Sequence, residues 1–126
     1  MPEMKLKQLH HEKDTWKRLL AFMIEENIHL KNRLAEILQD RFDKNLLEDV
    51  DHFQTRFIRQ DDLIRILRDE VNEMEKLIAP EISADGKIIK EIDLRWKRLR
   101  NNLKTAEKQY GEVRKAFNHF LSENIL

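Results

Sequence analysis

The 126-residue chain has no cysteine, and it carries only two glycines, two prolines and one tyrosine. Without cysteine there can be no disulfide, no thiolate metal ligand and no cysteine nucleophile. So few glycines and prolines leave too little turn chemistry for a set of hairpins, which excludes an all-β fold. Long apolar runs are missing as well. No stretch approaches the roughly 18 uncharged apolar residues that a membrane helix requires. The opening segment, MPEMKLKQLHHEKD, has no apolar core of the signal-peptide kind. A soluble, cytoplasmic protein is the resulting expectation. A Gly-rich phosphate loop, a nucleophile elbow and an HExxH helix are all absent, so the sequence supplies no catalytic or cofactor-binding residue and implies no small-molecule substrate.

What the chain does have is charge and a regular apolar pattern. It holds 24 basic and 24 acidic side chains, with 40% hydrophobic residues. That is too apolar for a disordered polyelectrolyte and too charged for a mixed α/β core. In the first block Leu6, Leu9, Trp16, Leu20, Met23, Leu30, Leu34 and Ile37 fall on one heptad seam, together with Lys13 and Asn27. The second seam runs from Leu46 through Val50, Phe53, Phe57, Gln60, Ile64, Leu67, Val71 and Met74 to Ile78. A third carries Ile89, Ile92, Trp96, Leu99, Leu103, Ala106, Tyr110, Val113, Phe117 and Phe120. Seams of this regularity indicate long amphipathic helices with coiled-coil-like packing.

Two breaks divide the pattern. The segment from Ala79 to Gly86 contains Pro80, which cannot continue a helix, and Ser83 and Asp85, either of which can cap the next one. Near residues 40–44 the signal is a change of phase. Ile37 and Leu46 are nine residues apart instead of seven, and that offset moves the seam to another helix face. Asp43 or Asn45 can cap there, with Glu48 three residues beyond Asn45 as in a capping box. The prediction is an all-α fold in a single domain spanning 1–126: an antiparallel, up-down-up three-helix bundle with helices at about 3–39, 44–79 and 86–122.

Three long helices, with Trp16 near the start of the first and Trp96 near the start of the third, resemble a spectrin-type repeat. The resemblance implies the same bundle architecture and says little about partners, because the unit is solitary and the phase break departs from the tandem pattern. The chain also resembles small bacterial coiled-coil proteins, a likeness that implies no activity.

Several residues stand out against this frame. Trp16 and Trp96 fall at similar heights and are expected to form an aromatic layer in the core. Asn27, Gln60 and Tyr110 are seam positions at comparable heights, and a polar layer built from them would fix register. Phe22, Ile28, Ile58, Ile66 and Leu94 are apolar but lie off the seams. On a narrow bundle they offer a contact strip for a helical partner or a second copy.

Charge is distributed unevenly. Residues 1–39 hold 7 basic and 6 acidic groups, residues 40–85 hold 7 and 13, and residues 86–126 hold 10 and 5. An acidic second helix beside a basic third one is a pairing rule between neighbours. The densest basic stretch, Arg95, Lys97, Arg98, Arg100 and Lys104, could instead meet nucleic-acid phosphates. Trp96 and Leu99 within it belong to the seam, so intramolecular pairing is the expected fate. Glu26/His29, Asp49/His52 and His10-His11-Glu12 have metal-like spacings, but they sit on helix flanks and lack a full ligand set, and no metal site is expected. His119, between Phe117 and Phe120, is expected to flank the core end. The chain therefore reads as a non-enzymatic interaction module, scaffold or accessory subunit, binding a protein partner or itself. A nucleic-acid-binding accessory protein is the alternative.

Overall fold

In the computed structural model the described residues are 2–40, 44–78 and 86–124, and all of them are helical. They form α1 (Pro2–Asp40), α2 (Lys44–Ile78) and α3 (Gly86–Asn124). These bounds agree with the helices expected from the seams to within two residues at each end. Pro80 and the candidate caps Asp43, Ser83 and Asp85 lie outside the described residues. Asn45 is in the first turn of α2 rather than ahead of it.

Cross-helix ion pairs give the directions. Lys17 meets Glu75 at 2.6 Å, and Lys31 meets Asp61 at 2.5 Å. Fourteen residues up α1 thus correspond to fourteen residues down α2, so the two are antiparallel. Arg100 meets Glu12 and Arg114 meets Glu26, an advance of fourteen on both α3 and α1, so these two run parallel. The result is an up-down-up three-helix bundle. Its α1 and α2 pack most closely, whereas α1 and α3 meet chiefly through long side chains.

Every buried side chain among the described residues lies on one of the three seams. Heptad spacing is the cause: each seam residue returns to the same face after two turns and is covered by two neighbouring helices. Large aromatics fill both ends of the core. Trp16 and Trp96 have ring centroids 4.8 Å apart at a 34° tilt. At the far end Phe117 packs edge-on against Phe53 and Phe57, at 5.2 and 5.1 Å. Each such side chain contributes about 1.5–3 kcal/mol by leaving water, and the edge-on geometry adds roughly 0.5–1.5 kcal/mol per ring pair.

Candidate functional site: the lateral helix faces

With the seams consumed inside the bundle, the flanks are what remains for function. One flank interaction closes the aromatic end. Glu12 on α1 accepts the indole N–H of Trp96 and both arms of the Arg100 guanidinium, the latter at 2.7 and 3.0 Å. Burial pushes the Glu12 carboxyl up, but the hydrogen bonds from Arg100 and Trp96, with the charges of Arg100 and Lys104, outweigh burial and hold it below the ordinary carboxylate range. The two tryptophans are only 6% and 1% exposed, so neither ring face is free to stack on a ligand.

The expected polar layer is present in part. Asn27, Gln60 and Tyr110 are all buried, within about a heptad of one another in height. They do not bond to each other. Asn27 donates to the Phe57 carbonyl at 3.1 Å and to Asp61 at 2.6 Å, and Asp61 in turn accepts Lys31. Asn27 Oδ1, Gln60 Oε1 and the Tyr110 hydroxyl have no hydrogen-bond partner among the described residues. Burial, reinforced by the Glu26 charge and opposed by Arg114, raises the Tyr110 phenol to about 12.

Three members of the basic stretch engage carboxylates. Arg95 meets Glu73 at 3.3 Å, Lys97 meets Asp93 at 3.1 Å, and Arg100 meets Glu12. Arg95 leans toward α2 and Arg100 toward α1, so the five cations do not share one face.

Nor do the metal-like spacings gather ligands. Among the described residues no group of three or more His, Asp or Glu side chains converges at metal-binding range. Glu26 turns to Arg114, the His52 ring packs on the edge of Phe53 at 5.9 Å, and His119 meets Glu123 at 3.0 Å. A shallow groove of about 210 Å³ lies between α1 and α3 beside Glu12, Trp16 and Arg100. An open hollow of about 490 Å³ runs along α1 by Lys7, His11 and Thr15, walled among the described residues by that one helix.

The five off-seam apolar residues are all exposed: Phe22, Ile28, Ile58 and Ile66 by about half, and Leu94 by 65%. They do not form one strip. Steps of seven from Lys17 and Lys31, which face α2, mark a stripe that includes Ile24 and Leu38, and Ile28 lies just outside it. The corresponding stripe on α2 passes through Asp61 and Glu75, with Ile58 just outside it. Ile28 and Ile58 therefore border the same groove. Phe22 lies beyond the Glu12–Glu26 stripe, toward α3. Ile66 shares the stripe of Glu73, which meets α3, and Leu94 points away from both neighbours.

Sequence reading missed Leu38, 37% exposed beside the α1–α2 groove, because the phase break just beyond it obscured which face it would take. Its position seven residues after Lys31 was the available signal. Comparison with family models, curated proteins and solved structures finds no match for this chain.

Proposed function

We propose that this chain is a non-enzymatic helical interaction module, a scaffold or accessory subunit that binds a protein partner or a second copy through its lateral helix faces. One observation carries the reading. The bundle buries its seams within a single chain and still leaves six large apolar side chains exposed among the described residues: Phe22, Ile28, Leu38, Ile58, Ile66 and Leu94. The spectrin-like architecture is in keeping with a scaffold role, and work in the cytoplasm is in keeping with the lack of cysteine. No described helix is long and apolar enough to cross a membrane.

Nucleic-acid binding through Arg95, Lys97, Arg98, Arg100 and Lys104 is the weaker reading. Three of the five already sit against carboxylates, and displacing those pairs offsets part of the gain from meeting phosphate.

A photoreactive amino acid placed at Ile58 in the native cell tests the proposal. The expected product is a discrete protein adduct, whether to another chain or to this one. Adducts to nucleic acid alone, or none at all, would overturn it.

A further inference from the structure

Among the described residues, the α1–α2 face is the one lateral surface where exposed apolar residues from two helices meet. Ile28 and Ile58 border it, Leu38 extends it, and the exposed, small Ala21 and Ala35 allow another helix to approach closely. The cross-seam pairs Lys13–Glu75, Lys17–Glu75, Asn27–Asp61 and Lys31–Asp61 set the level: residues of α1 and α2 whose numbers add to about 90 lie side by side. By that rule Ile28 and Ile58 are within about one turn of each other in height.

The same rule exposes a charge pattern on the outward stripes. Asp14 on α1 is level with Lys76 on α2, Glu25 is level with Arg65, and Arg18 lies within a turn of Asp69. Each pair joins opposite signs, yet within one chain its members point outward side by side. Arg65 instead holds Asp62 of its own helix at 3.1 Å, and Arg18 reaches back to the Asp14 carbonyl at 3.4 Å.

We infer that the α1–α2 face is a self-complementary docking surface for a second copy of this chain, related by a two-fold axis parallel to the bundle. Such an axis lays α1 on the second copy's α2 at the same level, and α2 on the second copy's α1. Glu25 then meets the second copy's Arg65, Asp14 meets its Lys76 and Arg18 approaches its Asp69, each contact occurring twice. Ile28 and Ile58 meet at the centre. The four helices of the two α1–α2 hairpins make an antiparallel four-helix bundle, with each α3 outside it. This deepens the interaction-module reading and rests on it.

The two-fold makes a specific demand on charge reversal. Glu25→Arg alone sets two like-charged pairs across the interface, and so does Arg65→Glu alone. In an equal mixture of the two variants, the introduced arginine of one chain faces the introduced glutamate of the other, and both contacts are restored. Sedimentation equilibrium of the purified full chain reads this out. Wild type is expected to dimerise with concentration, each single variant to dimerise on the order of tenfold more weakly or worse, and the mixture to regain the dimer. Both positions are exposed, so helicity by circular dichroism stays at the wild-type level.

A wild type that stays monomeric at every concentration overturns the inference, as do single variants that dimerise like wild type or a mixture that fails to reassemble. A monomeric wild type that still gives a protein adduct from Ile58 in cells overturns the self-pairing alone and leaves the interaction-module reading standing.

Discussion

Trp96 on the third helix donates its indole N–H to Glu12 on the first, and the same carboxylate clamps Arg100 one turn further along α3. One buried aromatic and one flank cation are thus fastened to α1 at a single point, along the seam where backbone approach is sparsest. The clamp stands in for close helix packing there.

Replacing Glu12 with Ala leaves a buried indole N–H without its acceptor and a half-buried guanidinium without its counter-charge. The expected cost is about 1–3 kcal/mol, measured by urea unfolding. The pH dependence has a definite sign. Glu12 titrates lower in the folded chain than its ordinary 4.5, so its contribution is present in full above that value and is lost as pH falls through the folded value. The variant should therefore lose less stability than wild type on acidification below about 4.5.

Tyr110 is the only tyrosine, which makes its ionisation directly readable by ultraviolet absorbance. Its phenol is raised from 10.0 to about 12 in the folded chain. The folded form holds its proton where the unfolded form has lost it, so stability is unaffected below 10 and declines as pH rises from there toward about 12. The Tyr110→Phe variant should lack this alkaline decline, as followed by helicity against pH. A phenol titrating at its ordinary value in the folded protein would contradict the burial.

Asn27 costs stability, because its Oδ1 is buried without a partner while its amide holds Phe57 and Asp61. Asn27→Leu is expected to raise stability by roughly 1 kcal/mol, since Asp61 keeps Lys31. The same change removes a register mark, so sedimentation should show a broader range of association states than wild type.

Core and flank aromatics should separate cleanly. Phe117 is fully buried among Phe53, Phe57 and Phe120, and truncation to Ala is expected to cost about 3–5 kcal/mol by urea unfolding. Phe22 is half exposed, and Phe22→Ser should stay within about 0.5 kcal/mol.

The fold was legible because heptad position decides burial: Trp96, Phe57 and Leu103 could each be assigned to the core from spacing alone. Among the described residues, even the buried polar Asn27 and Gln60 followed from lying on the seams. Flank chemistry was much less legible. Glu12 first read as part of a His-His-Glu triplet, and only the rotation of α3 against α1 reveals that it faces Trp96 and Arg100. The off-seam apolar residues were identifiable one by one. Their division among three grooves, with Leu94 on none of them, depends on which flank of each helix meets which neighbour, and heptad counting within a single helix does not contain that.

Closure of the seams within one chain is the central claim, since it leaves only the flanks for partners. The Trp16–Trp96 contact, at 4.8 Å, reports on it through the exciton couplet of the two indoles in circular dichroism. Trp16→Phe and Trp96→Phe should each abolish the couplet, and unfolding and refolding the two variants together should not bring it back. A couplet regained in the mixture would show that the indoles meet between chains, and would contradict the closed bundle.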